Sequence, residues 1–203
     1  MYINYSENTA LEWDMEPFAS SIEDAMELRE SDPTEFVKIL EKLAKNGSVL
    51  SMIYLGDVYA NGRGVPIDID RGLKWYERAS ERGSIEATHR LARWNWSYDD
   101  YDKTMQLLLI NSRKGFSPAM YLLGLMYLSD KHTKSDVLLA IKYWKSAEEQ
   151  GHLLAKRRLS ILLRNGELGI IGRVKGYLKL VNMLPKFVYF SMKFPNSDRL
   201  RDW

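Results

Sequence analysis

Apolar and polar residues alternate along the middle of the chain with the period of an α-helix. Small or apolar side chains recur every fourth position at Ser51, Leu55 and Tyr59, which places them on one face of a helix. A glycine-rich turn follows at 61–66, and a second apolar stretch begins near residue 68 and ends before Gly83. The pattern predicts two helices joined by a turn.

The same unit recurs along the chain. Its marker is a glycine, with spacings of 36, 32 and 36 residues between copies, at Gly47, Gly83, Gly115 and Gly151. A small residue stands four positions after each glycine, a leucine eight after it, and another small residue nine after it. Agreement at four positions in four copies indicates an internal repeat of helix pairs. The small residue beside the leucine predicts close approach of a neighbouring helix.

A longer motif is most complete in the first and third copies. The first copy reads Leu55-Gly56-x-x-Tyr59-x-x-Gly62-x-Gly64-Val65-x-x-Asp68, then Gly72-x-x-Trp75-Tyr76-x-x-Ala79-Ser80-x-x-Gly83. The third copy has Leu123-Gly124-x-x-Tyr127 and Ala140-x-x-Tyr143-Trp144-x-x-Ala147. The second copy lacks the Gly-x-Gly turn, and the fourth degenerates after Asn165-Gly166. This motif resembles the Sel1-like repeat, a relative of the tetratricopeptide repeats.

The resemblance implies an all-α fold, a right-handed α-solenoid of antiparallel helix pairs with capping helices at both ends. We predict an acidic N-terminal segment and capping helix at 1–32, the repeats at 33–166, and a basic amphipathic C-terminal segment at 167–203. What is known of the family implies a scaffold or adaptor for other proteins.

One side of each first helix is the predicted partner-binding surface. In related tetratricopeptide folds, the side opposite the packed face resembles the concave wall that contacts ligands, and positions 3, 6, 10 and 13 of each copy fall there. These positions supply Asp57, His89, Arg93, Trp96, Tyr121, Arg157 and Arg164. Arginine suits carboxylates, and Arg, Trp and Tyr often anchor interfaces. The alternative is that these side chains are solvated or contact neighbouring repeats.

Charge is distributed unevenly, although the formal net charge is only +2. Residues 1–149 carry 18 basic and 24 acidic side chains, whereas residues 150–197 carry nine basic side chains and one acidic one. Such asymmetry indicates either an interaction surface or one end that neutralises the other. The lack of cysteine excludes disulfide scaffolds and cysteine nucleophiles, and three histidines without metal-ligand spacing predict no metal site. No cofactor is expected.

The C-terminal segment combines a basic stripe with many apolar residues. Its basic side chains, with no acid among them, are Arg173, Lys175, Lys179, Lys186 and Lys193. Two interpretations stay open: a helix that docks on an anionic membrane surface or a partner, and a structural cap whose apolar arc closes the last repeat while its lysines face water. Pro185 is expected to kink this helix or divide it.

The leading functional hypothesis is a non-enzymatic cytoplasmic adaptor or regulator that binds a protein or peptide partner through the concave face. The alternative is a peripheral membrane scaffold, held on the inner face of a membrane beside an enzyme such as one of envelope polysaccharide synthesis, and it rests on family analogy. An enzyme is the least favoured class, because no phosphate loop, nucleophile elbow or catalytic triad is evident.

Nucleic acid is not expected as a partner, because the N-terminal half is acidic and no recognition module is evident. The first residues lack the pattern of a secretory signal, and charged residues interrupt the apolar stretches near the C-terminus. These features predict a cytoplasmic location.

Overall fold

The computed structural model describes residues 12–129, 137–165 and 169–193. In these ranges no strand occurs, and ten α-helices of eleven or more residues follow one another. They are α1 (Ala19–Ser31), α2 (Pro33–Lys45), α3 (Val49–Asn61), α4 (Ile69–Glu81), α5 (Ile85–Ser97), α6 (Tyr101–Arg113), α7 (Ser117–Tyr127), α8 (Val137–Glu149), α9 (Leu153–Arg164) and α10 (Gly169–Lys193). The predicted all-α class is confirmed.

Helices that are adjacent in sequence pack against each other. In the first part of the chain α1 packs on α2, α2 on α3, α3 on α4 and α4 on α5; in the second, α7 packs on α8, α8 on α9 and α9 on α10. The chain divides into two compact units with the boundary inside α6, one of residues 8–107 and the other chiefly of residues 108–203. The boundaries predicted at 32 and 166 follow the repeat pattern and stay predictions, and the second lies outside the described residues.

The first helix of each repeat begins in a similar way. The hydroxyls of Ser48 and Ser84 each accept the backbone N–H of the residue three positions later at 3.0 Å, as helix N-caps do. In the fourth copy His152 Nδ1 accepts the N–H of Ala155 at 3.1 Å, whereas Phe116 in the third copy offers no such bond. The glycine before each cap has a positive φ between 83° and 105°, which explains why the repeat marker is glycine.

The small residue nine positions after the repeat glycine leaves room for a ring of the second helix. A Cβ placed on Gly56 would lie 2.5 Å from the ring of Tyr76, and one on Gly124 would lie 2.2 Å from the indole nitrogen of Trp144. Both rings are buried. The predicted close approach of a neighbouring helix is confirmed in these two copies.

The fourth copy has a second helix, α10, although its sequence motif has degenerated. A Cβ on Gly176 of α10 would lie 2.5 Å from the carbonyl oxygen of Ser160 and 2.6 Å from the backbone nitrogen of Arg164, both in α9. Gly72 stands at the same repeat position, and a Cβ there would lie 2.8 Å from the backbone nitrogen of Ala60. Glycine at this position therefore brings the two helices of a pair into backbone contact.

Candidate functional site

Three of the seven predicted partner-binding residues have their side chains engaged inside the fold. His89 is fully buried, and Tyr121 is buried with its ring stacked on His152 at a centroid distance of 4.9 Å. Asp57 accepts hydrogen bonds from the hydroxyl of Tyr76 and from Arg90. These placements correct the sequence-based assignment, because the side of the helix opposite the packed face is covered in part by other elements. The three side chains stabilise the fold instead of lining an open groove.

The remaining four predicted residues reach solvent on two helices. On α5, Arg93 is exposed and Trp96 is partly buried, three positions further along. On α9, Arg157 and Arg164 are exposed and seven positions apart, which places them on one helix face. Because α5 belongs to the first unit and α9 to the second, each helix is a separate candidate surface.

A buried ionic network joins α3, α4 and α5. The Arg90 guanidinium contacts the Glu86 carboxylate at 2.6 Å and also the Asp57 carboxylate, which in turn accepts the Tyr76 hydroxyl. The side chain of Glu86 is 1% exposed and that of Asp57 is 16% exposed. The network therefore consists of two carboxylates around one guanidinium at a site largely shielded from water.

Electrostatics in this network favour the charged form of Arg90. Burial alone lowers the pKa of Arg90, but the neighbouring carboxylates of Glu86 and Asp57 outweigh it and raise the pKa above its ordinary value. Burial, followed by the charge of Asp57, raises the pKa of Tyr76. Arg90 is not among the residues predicted from the sequence, although its spacing of four from Glu86 on a helix indicates an ion pair.

Two acidic residues of the N-terminal segment bind the starts of first helices. Glu16 accepts the backbone N–H of Leu50 at 3.0 Å, at the start of α3. Glu12 accepts the Ser84 hydroxyl at 2.8 Å and the backbone N–H of Glu86 at 3.1 Å, at the start of α5. Helix N-termini carry partial positive charge that favours such carboxylates. Part of the acidity of this end is therefore used within the fold.

The difference in unfolding free energy between Glu12→Gln and the wild type is expected to shift in favour of the variant as the pH increases from about 4 to about 7. Burial raises the pKa of Glu12, and the hydrogen bonds from Glu86 N–H and Ser84 offset this only in part. A carboxyl with a raised folded-state pKa stabilises the fold below its unfolded-state pKa and loses that contribution as pH rises through the folded value. Glutamine does not titrate.

Urea unfolding of both proteins at the two pH values measures this effect, with Glu23→Gln, an exposed acid on α1, as the control. A difference in unfolding free energy between Glu12→Gln and wild type that does not change with pH would contradict the argument.

An open cleft of about 870 Å³ lies beside the glycine-rich turn of the first repeat. Three of its charged residues make contacts within the fold. Arg71 lies over the ring of Tyr59 at 4.0 Å and pairs with Glu41, while Asp68 and Asp100 accept N–H groups at the starts of α4 and α6. Burial and the hydrogen bond to Glu41 raise the pKa of Tyr59 to about 12. Among the residues that the structure describes, no group of three or more His, Asp or Glu side chains is arranged to hold a metal ion.

The basic residues of α10 differ in their surroundings. Arg173, Lys175, Lys186 and Lys193 are exposed, and Lys193 donates a hydrogen bond to the hydroxyl of Tyr189 at 3.1 Å. Lys179 forms an ion pair with Glu148 of α8. Most of the large apolar side chains of α10 are exposed too, whereas Gly176 packs on α9 and Met183 is buried. The helix continues through Pro185 without division. Within the described ranges, no helix has the length and apolar character needed to cross a membrane.

Comparison with known proteins identifies the repeats. The family model of the Sel1 repeat matches residues 49–84 and 117–152, the copies in which the motif is most complete. A sel1-like repeat-containing protein of Acanthamoeba polyphaga mimivirus is 27% identical over 129 residues, a match that covers 64% of this chain. The chain spans only 24% of the length of that relative.

Solved structures of Sel1 repeat proteins have the same fold. A Sel1 repeat protein from Oxalobacter formigenes superimposes with a TM-score of 0.69 at 22% identity, covering 92% of this chain and 86% of that one. A protective antigen of uropathogenic Escherichia coli with an SLR fold gives a TM-score of 0.68 at 20% identity, covering 85% and 41%. Motif, family match and fold therefore agree in identifying Sel1 repeats at residues 49–84 and 117–152 of this chain.

Proposed function

We propose that this chain is a non-enzymatic adaptor that binds a protein partner through the exposed, arginine-bearing faces of its first helices. Sel1-repeat proteins generally mediate protein–protein interactions. The observation that carries the proposal is the exposed pair Arg157 and Arg164 on α9. At the position of Arg157 the earlier repeats have Ile53, His89 and Tyr121, which are all buried.

The face of α9 has the chemistry of a site for an acidic segment. Arg157 and Arg164 are seven residues apart, about 10 Å along the helix axis. The helix carries four basic residues and no acidic one, so its own sequence offers these guanidinium groups no carboxylate. Arginine binds carboxylates through two parallel hydrogen bonds, which gives geometric specificity as well as affinity. The partner we propose presents carboxylates at a matching spacing.

The exposed part of α5 offers a second, smaller contact. Arg93 is exposed and Trp96 partly so, one turn apart, while the acidic residue of this helix, Glu86, is buried in the ionic network. Tryptophan and arginine are the residue types that most often dominate binding energy when an interface covers them. This face supports the same proposal independently of α9.

The test compares proteins captured by cross-linking from the native host with the full-length wild type and with Arg157→Gln/Arg164→Gln. The matched control is Arg158→Gln, an exposed arginine on the same helix that points about 100° away from Arg157. We expect the double variant to recover at least about tenfold less of the specific partner than the wild type does, because an interface anchor is lost. The control is expected to recover as much of the partner as the wild type.

Arg93→Gln/Trp96→Ala, tested in parallel, reports on the α5 face. Equal recovery of the same proteins by the wild type and both double variants, each folded by circular dichroism, would rule out these two faces as the binding surfaces.

A further inference from the structure

The packing of α10 determines which of its faces point outward. Gly176 lies in backbone contact with α9, and Met183, seven residues further along, is buried. Lys179, on the edge of the same face, is paired with Glu148 of α8. Because an α-helix turns about 100° per residue, these contacts direct the other two thirds of the α10 surface away from α9.

The outward surface carries a broad apolar stripe. Among the residues that the structure describes, thirteen large apolar side chains are exposed, and eight of them belong to α10, with exposures of 50–81%. Seven of these fall within a sector of about 120°: Val174, Tyr177, Leu178, Val181, Leu184, Val188 and Met192. Such a concentration is unlike isolated surface apolar residues and marks an interaction site.

A basic stripe runs beside the apolar one. Lys175, Lys186 and Lys193 are exposed and fall within a sector of about 20°, which lies about 60° beyond the edge of the apolar sector. The 25 residues of α10 include no aspartate or glutamate. The helix therefore presents positive charge on one flank of an apolar stripe that runs from Val174 to Met192, about 27 Å.

A second copy of the chain is a poor occupant of this surface. If two α10 helices met through their apolar stripes, neither helix would supply a carboxylate for the lysines of the other. An anionic lipid bilayer satisfies both stripes at once, since its headgroup region binds the lysines while its acyl region receives the apolar side chains.

We propose that α10 is an interfacial membrane-binding helix, which lies in the plane of an anionic phospholipid surface with its apolar stripe inserted and its lysine stripe at the headgroups. This inference does not rest on the adaptor function, because it uses a different helix and a different chemistry. It assigns to the protein a reversible attachment to the surface of a membrane.

The test is flotation of the full-length protein with vesicles of phosphatidylcholine alone or of phosphatidylcholine mixed with phosphatidylglycerol. We expect binding to the anionic vesicles that weakens as salt is added. Lys175→Gln/Lys186→Gln/Lys193→Gln is expected to weaken binding at least about tenfold, because each lysine near an anionic surface contributes separately. Val181→Asp/Leu184→Asp is expected to abolish it.

Two control variants change the same residue types at positions outside α10. Leu138→Asp replaces an exposed leucine of α8, and Lys142→Gln/Lys145→Gln removes two exposed lysines of that helix; both are expected to bind vesicles like the wild type. Folded wild-type protein that fails to float with anionic vesicles overturns the proposal. The proposal is also overturned if the wild type is a dimer in light scattering, does not bind lipid, and becomes monomeric in the variant Val181→Asp/Leu184→Asp. That result assigns the stripe to a second copy of the chain.

Discussion

Replacing Trp144 with alanine is expected to lower the free energy of unfolding by about 3–5 kcal/mol, the range for truncation of a large buried aromatic residue. Trp144 is 2% exposed, and its indole nitrogen donates to the carbonyl oxygen of Tyr121 at 3.0 Å. Truncation leaves a cavity and removes this hydrogen bond. Chemical unfolding followed by circular dichroism measures the loss. Leu138→Ala, at an exposed position of the same helix, is expected to change stability by less than about 0.5 kcal/mol.

A double-mutant cycle with Gly124 separates this packing from a general weakening of the helix pair. Gly124→Ala alone is expected to destabilise by about 1–3 kcal/mol, because its methyl group overlaps the indole ring. In the Trp144→Ala background the ring is gone, and alanine then favours a helix over glycine by up to about 1 kcal/mol. The effect of Gly124→Ala should therefore change sign between the two backgrounds. Additive effects would mean that the two residues do not constrain each other.

Replacing Arg90 with methionine is expected to destabilise the protein by about 3 kcal/mol at neutral pH. Removal of one partner leaves the carboxylates of Glu86 and Asp57 close together without their cation, and breaking a buried ion pair in this way costs several kcal/mol. The figure is at the lower end of that range because the Arg90 side chain is 31% exposed. Lys74→Met, at an exposed position of α4, is the control and should change stability by less than about 0.5 kcal/mol.

The variant Glu86→Gln/Arg90→Met distinguishes an unpaired charge from lost packing. It removes one of the two carboxylates that the single variant leaves unpaired, so it should be more stable than Arg90→Met alone by at least about 1 kcal/mol. If both variants are equally unstable, the aliphatic part of Arg90 matters and its charge does not. The comparison uses the same unfolding measurement at the same pH.

The repeat pattern predicted the packed face of each helix correctly but not the exposure of the opposite face. Leu55 and Leu123 are fully buried, as their period requires. His89 and Tyr121 were expected on an open surface and are buried instead. Periodicity in one helix distinguishes its inner side from the rest, but a helix within a stack has neighbours on more than one side. The periodicity of one helix therefore does not distinguish a face exposed to solvent from a face covered by a neighbouring helix.

The N-terminal contacts and the outward face of α10 depended on tertiary structure. Nothing in the local sequence of Glu12 and Glu16 indicates that the helix N-termini they bind lie within reach. Gly176 was detectable in principle, since it stands 25 residues after Gly151 just as Gly72 stands 25 after Gly47. The aromatic residues that mark the second helix in the first and third copies are absent from α10, so the sequence motif does not extend into this helix.

The carboxylate contacts of the N-terminal segment also impose an order on folding. Glu12 binds a backbone group 74 positions away and Glu16 one 34 positions away, whereas a stack of helix pairs consists mainly of contacts between neighbours in sequence. Each contact needs the free N–H groups of a helix end, and these are presented together only once that helix exists. Residues 12–16 precede the repeats they bind in the chain and are synthesised first. Because their contacts need formed helix ends, these residues become ordered only after the repeats.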